Sequence, residues 1–447
     1  MLDILGEHYR NCDGLSRREV LRVGSLAVGG VALPGLLRRQ AAAAAGTSEP
    51  VTDTAVIQIF MGGGPSHIDM YDLKPDAPSE LRGEFREIPT NVPGIRISEH
   101  LPYQARVMDR LAIVRSVMHT NSVHLPSSHL VLTGYEPPPE AGGAIPDNLN
   151  PFTGSVVAKF RGANRPGFPP FVAVRKRVSY GGPAYLGAAH KGFEPGNDPN
   201  EDNFHVPDLT RLPGLSRERL EDRAGLRREL DNMRRLADSQ AEAAALDRYS
   251  HQALDLLTND RVAEAFDIER EDPRTRERYG RTQIGQNCLL ARRLVEAGVT
   301  YVSCLSGGGW DTHADNFSGL KDIALPRYDR AVATLVDDIY ERGLAKRVLL
   351  MAFGEFGRTP RINKDAGRDH WPGAMCVLFA GAGLKVGQMV GATDAHGTYP
   401  TTTPYSPGCV LATMYKIMGV DPSALLHDRN DRPLPVLPEG RPIRELF

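Results

Sequence analysis

The 447-residue chain has no paired cysteine motif, no excess of charge of one sign and no apolar run that reads as a membrane span, and each lack removes a class of protein. Five cysteines, Cys12, Cys288, Cys304, Cys376 and Cys409, form no C-x-x-C pair. The last three lie in or beside apolar runs, where a free thiol behaves as a small hydrophobe, so a disulfide framework is not expected. With 53 basic against 55 acidic residues the formal net charge is -2. Nucleic-acid phosphates require a concentrated basic surface, and no nucleic-acid partner is expected. The apolar stretch Val23 to Leu37 is rich in glycine and short of the roughly 20 apolar residues that a spanning helix needs. What is present, 41% hydrophobic and 24% charged residues, is the composition of a soluble globular chain with ample core material.

That apolar stretch has a defined context. It follows Leu15-Ser16-Arg17-Arg18-Glu19-Val20-Leu21-Arg22 and precedes Ala41 to Ala45, a sequence of basic region, short apolar core and small-residue cleavage region. Adjacent arginines after a serine resemble the twin-arginine export signal, which carries folded proteins out of the cytoplasm. Residues 1–45 are therefore expected to be removed. Residues 46–447 should then work in the periplasm or another extracytoplasmic space, with no stable membrane span left. An uncleaved amphipathic helix is the alternative.

In the remainder, apolar runs suited to buried strands (Ala55 to Phe60, Leu111 to Arg115, Phe171 to Val174, Thr300 to Cys304, Val348 to Phe353, Met375 to Ala380) alternate with helical stretches. The helix candidates are Leu101 to Met108, Gly154 to Phe160, Arg281 to Ala297, Leu325 to Glu341 and Pro407 to Met418. Such alternation predicts an α/β fold, a mostly parallel central sheet with helices on both faces, whose sites gather beyond the carboxyl ends of the strands. Residues 216–260, charged with a leucine-lined face, read as a helical insertion on the α/β body.

Four clusters follow predicted strands. Met61-Gly62-Gly63-Gly64 offers either backbone N–H groups to an anion or merely a tight turn. His119, His124 and His129 are spaced too regularly for all three to share one helical face, so at most two should reach one site. Asp311 and His313, two residues apart, can both reach one cation. Glu355, Arg358, Asp369 and His370 come next: carboxylates and imidazole for a metal, and a planar guanidinium suited to a phosphate or sulfate oxyanion. Taken singly, each is more often a turn or capping residue. Their shared position after strands is what points to one site.

The stretches Gly63-Gly64-Pro65-Ser66-His67-Ile68-Asp69, Leu81-Arg82-Gly83-Glu84-Phe85, Gly309-Trp310-Asp311-Thr312-His313, Gly354-Glu355-Phe356-Gly357-Arg358-Thr359-Pro360 and Gly367-Arg368-Asp369-His370-Trp371-Pro372 carry a resemblance over nearly the whole chain after residue 46. It resembles the bacterial family called domain of unknown function 1501, within the alkaline phosphatase and sulfatase-like superfamily. That resemblance implies metal-dependent hydrolysis of phosphate or sulfate esters, with Asp311, His313 and His370 as ligands. Two departures stand out. The aspartate expected after the first strand is replaced within Gly62-Gly63-Gly64, with His67 or Asp69 as substitutes, and His124 stands where the superfamily has a serine, threonine or modified cysteine nucleophile.

The reading that follows is an exported metal-dependent hydrolase of an anionic small-molecule or polysaccharide ester. Asp311, His313, Glu355, Asp369 and His370 hold a divalent cation, zinc by their mixed donor types, with manganese or iron fitting the same set. Arg358 steadies the oxyanion, and His124 is ligand, general base or covalent nucleophile, the first two being favoured because direct attack by water needs no protein hydroxyl. A binding or surface-assembly protein on the same fold, and a protein in which these residues are structural staples, account for the same composition.

Overall fold

The computed structural model describes residues 53–137, 148–206 and 259–447. The expected signal segment 1–45 and all of the expected insertion 216–260 except Asn259 and Asp260 lie outside the described residues.

The apolar runs assemble into one seven-stranded sheet. Its strands are β1 (Ala55–Phe60), β2 (Leu111–Val117), β3 (Phe171–Ala173), β4 (Tyr301–Leu305), β5 (Val348–Phe353), β6 (Met375–Gly381) and β7 (Gln388–Val390). They lie in the order β7-β2-β6-β5-β1-β4-β3. Only β6 runs against its neighbours, and every other pairing is parallel. A sheet covered on both faces makes its central strands nearly continuous apolar runs, and β1 and β5 are buried throughout, the one polar residue of β1, Gln58, accepting the Tyr301 hydroxyl. Alternate side chains then go to opposite sides. Ile57, Ile59, Leu350 and Ala352 join one apolar cluster, while Val56, Phe60, Leu349 and Met351 join the other.

The principal helices are α1 (His124–Thr133), α2 (Thr153–Arg161), α3 (Gln283–Ala297), α4 (Leu325–Glu341) and α5 (Pro407–Met418). The first cluster is completed by α3 and α4, the second by α1, α2 and α5. Helix α4 contributes Leu325, Tyr328, Val332, Leu335, Val336 and Ile339, a stripe at helical spacing. The α/β class expected from the sequence is the one observed. One expected helix is shorter: only Pro102–Arg106 is α-helical, followed by a 3-10 turn at Met108–Arg110. So short a helix is unstable alone, and it is capped from outside, its Tyr103 and Gln104 N–H groups each donating at 2.8 Å to the Asp329 carboxylate of α4. No helix among the described residues is long and apolar enough to cross a membrane.

Register is what builds the site. Phe60 pairs with both Leu305 and Phe353, so β1, β4 and β5 end level and the segments following them leave the sheet side by side. Strand β2 ends at the same edge, since Val117 pairs with Met375, the first residue of the reversed β6. The chain reaching β6 therefore delivers His370 to the carboxyl edge of the parallel strands, where sites in such sheets form.

Candidate functional site

Glycines shape the floor of this edge. Gly63 (φ 117°) and Gly64 (φ 76°) adopt conformations disfavoured for other residues, and a Cβ would fall 2.8 Å from Asp311 N at the first and 2.4 Å from the Phe356 ring at the second. The Gly63 N–H donates to both Glu355 oxygens, at 2.9 and 3.1 Å. Of the two roles open to these glycines, the steric one holds: the N–H is committed to a protein carboxylate and close packing excludes side chains.

Three imidazoles meet above that floor. His124 Nδ1 lies 2.6 Å from Glu355 Oε1, His313 Nδ1 2.6 Å from Asp369 Oδ1, and His370 Nδ1 2.8 Å from the Ser122 carbonyl. Each Nδ1 faces an acceptor, so each must carry the proton. A ring that is neutral with its proton on Nδ1 keeps a lone pair at Nε2. All three are turned on one group: His124 Nε2 is 3.1 Å from Asp311 Oδ2, while His370 Nε2 and His313 Nε2 are 3.2 and 3.1 Å from Asp311 Oδ1. His313 Nε2 and His370 Nε2 are 2.9 Å apart. Lone pairs and a carboxylate converging in this way would surround a cation placed among them with donors. Ligand atoms of His124, Asp311 and His370 lie within 4.8 Å of one another, so the donor set fits one metal ion.

Electrostatics favour the anionic form of the carboxylate. Partial burial pushes the Asp311 carboxyl up, but Arg358, His370 and His124 outweigh it and bring it down to about 2. His124 is raised, chiefly by its hydrogen bond to Glu355, and His370 is lowered by burial, which keeps its ring neutral and able to ligate. The Asp369 carboxyl is lowered by His313.

Several expected site residues take roles other than those read from the sequence. Arg358 was expected to grip a substrate oxyanion, but its side chain is fully buried and its guanidinium donates to the carbonyls of Gly63, Gly64 and Arg368 and to Asp311 Oδ1 at 2.5 Å. It anchors Asp311 instead, since a buried guanidinium must find protein acceptors. Glu355 and Asp369 stand behind His124 and His313, so they orient imidazoles where direct ligation was expected. Neither proposed substitute for the missing aspartate reaches the cluster. His67 Nε2 bonds the Gly397 carbonyl, and buried Asp69 is held by Arg368, Ser66 and Asn316.

Of the three regularly spaced histidines, only His124 joins the cluster. His119 donates from Nε2 to the Glu355 carbonyl (2.7 Å) and accepts the Asn121 N–H at Nδ1, and His129 bonds the Tyr135 carbonyl. His119 thus fixes the main chain of the residue that orients His124, a role with no signal in sequence spacing. The Ser122 carbonyl was also missed, as backbone partners leave no trace in side-chain identity. Ser127, in α1 with His124, is buried and donates to the Asn121 carbonyl.

Among solved structures the chain is similar to a sulfatase from Pseudoalteromonas sp. (11% identity, TM-score 0.38, covering 86% of this chain and 70% of that one). It is also similar to a phosphonate monoester hydrolase from Silicibacter pomeroyi (12% identity, TM-score 0.34, 88% and 76% covered). A third likeness is to the TAB5 alkaline phosphatase (10% identity, TM-score 0.37, 83% and 99% covered). A search of curated proteins finds no match. Residues 53–447 match the model of the family described as protein of unknown function DUF1501, and the chain belongs to that family.

Proposed function

We propose that the protein is a metal-dependent hydrolase of phosphate or sulfate esters that uses water directly as the attacking group. The observation that carries this reading is the convergence of the His124, His313 and His370 Nε2 atoms on the Asp311 carboxylate. His124, Asp311 and His370 would hold a divalent cation, zinc by the imidazole and carboxylate donors, with manganese or iron fitting the same set. When bound, such a cation supplies Lewis acidity to the ester oxygens and makes water acidic near neutral pH.

The chain's own residues do the rest. Arg358 pins Asp311 from beneath, while Glu355 and the Ser122 carbonyl fix the ring planes of His124 and His370. His313 lies outside the tightest group and is 46% exposed, with its Nδ1–H held by Asp369. That arrangement suits it to accept a proton from the attacking water at Nε2 and pass it to the departing oxygen, as an imidazole oriented by a carboxylate does elsewhere. The ester's bond to the alcohol breaks as the water oxygen bonds to phosphorus or sulfur. No step needs a protein hydroxyl, which agrees with Ser127 being turned onto the Asn121 carbonyl. Export by the twin-arginine route and work in the periplasm are part of the proposal and rest on the first 45 residues.

Elemental analysis of the folded protein, with turnover of aryl phosphate and aryl sulfate esters, tests the reading. Wild type should carry about one to two equivalents of a transition metal, His370→Ala none, and His313→Ala its metal with turnover reduced at least ~100-fold. Absence of metal from wild type after reconstitution overturns the proposal. Metal without turnover of any ester would instead favour the binding protein.

A further inference from the structure

Apart from the imidazole cluster, a cleft of about 180 Å³ opens beside the short helix Ser79–Arg82 and the hairpin strands Glu87–Pro89 and Arg96–Ser98. Phe85 forms its floor, buried, with its ring edge-on to His100 at 4.3 Å and to Phe317 at 5.3 Å. The wall is rigidly placed. Gly83 (φ 70°) turns the chain where a Cβ would fall 2.5 Å from the Phe317 ring, and buried Arg368 donates to the Leu81 carbonyl at 2.9 Å.

Four cations, Lys74, Arg82, Arg86 and Arg96, line this cleft against one carboxylate, Glu87. Two are compensated: Arg96 Nε lies 3.3 Å from Glu87, and Lys74 Nζ lies 3.1 Å from Asp72. Arg82 and Arg86 are exposed, and their guanidinium groups have no hydrogen bond or ion pair among the described residues. Planar forks of this kind match the oxygens of phosphate and sulfate, and concave placement concentrates their field. The volume is below the roughly 300–1,000 Å³ of drug-sized sites, so the cleft suits one anionic group and a few further atoms resting on Phe85.

We propose that this cleft binds a tetrahedral oxyanion, the phosphate or sulfate group of a small ester or the free ion, through Arg82 and Arg86. The inference does not rest on the hydrolase reading, because none of the lining residues belongs to the imidazole cluster.

The test is calorimetric titration of the chelator-treated full chain with inorganic phosphate and, separately, sulfate, at ionic strength held constant with chloride. Saturable binding should persist in His124→Ala, His370→Ala and weaken at least ~10-fold in Arg82→Gln, Arg86→Gln. Both arginines are exposed, so the double variant should keep the wild-type melting temperature, which separates lost binding from lost fold. Lack of saturable binding, an undiminished affinity in the arginine variant, or loss in the histidine variant overturns the site. Acetate binding as tightly as phosphate would overturn its assignment to a tetrahedral oxyanion.

Discussion

Glu355 is almost wholly buried, and both partners of its carboxylate are hydrogen-bond donors: the Gly63 N–H and His124 Nδ1–H. Substitution with glutamine keeps the size and one carbonyl oxygen for Gly63, but removes the charge that sets the ring of His124. Partners of this kind typically contribute ~10–100-fold to metal affinity. Glu355→Gln is accordingly expected to fold normally and to bind zinc about 10–100-fold more weakly, measured by competition with a chelating dye. An unchanged affinity would mean that Glu355 serves only the turn at Gly63. The same residue marks what sequence can and cannot express. That Glu355, Arg358, Asp369 and His370 gather at one sheet edge was legible, because each follows or precedes a strand that reaches that edge. Which of them would face the imidazoles and which would stand behind them was not, because that depends on how each side chain is buried and paired. Arg358 is fully enclosed and His313 is 46% exposed, and nothing in the local sequence distinguishes them on that account.

At the scale of elements, the junction between α4 and the helix Pro102–Arg106 depends on one carboxylate. Burial raises the Asp329 carboxyl from 3.8 to about 7, against the lowering effect of the Tyr103 and Gln104 N–H groups. A carboxyl raised in the folded state makes that state bind more protons than the unfolded chain. Its contribution to stability is therefore full below about pH 4 and is lost as pH rises toward 7. Asp329→Asn removes this titration while leaving a carbonyl oxygen for one N–H. Urea denaturation across this range should show the variant with a flatter pH dependence than wild type, and equal slopes would rule out Asp329 as the titrating group. Element boundaries were otherwise readable where a single physical cause operates. The apolar runs of β1 and β5 and the amphipathic stripe of α4 begin and end where the sequence pattern places them. Strand β7 escaped because three residues at a sheet edge, two of them half-exposed, form no period. The shortened helix before β2 is held by Asp329, a partner 226 residues away from Tyr103, which local propensity does not contain.

Across the whole molecule, the imidazole cluster joins parts of the chain that are far apart in sequence and that the sheet brings level. His124 comes from the segment after β2, Asp311 from that after β4, Glu355 from that after β5, and His370 from the approach to β6. Across the cluster these segments are linked by the contacts of His124, Arg358 and His370 to Asp311, of His124 to Glu355 and of His370 to the Ser122 carbonyl. A ligand that binds the folded state alone stabilises it by mass action, about 2.7 kcal/mol when its free concentration is 100 times Kd. Because the proposed ligands His124, Asp311 and His370 come from segments that span the sheet from β2 to β4, that stabilisation should reach the cooperative unfolding of the domain and not merely one loop. Chelator treatment should lower the melting temperature of wild type by several degrees, and zinc in excess should restore it. His370→Ala should melt at the same temperature with and without chelator. A wild type indifferent to both treatments would leave Asp311 and its three imidazoles as a hydrogen-bonded staple.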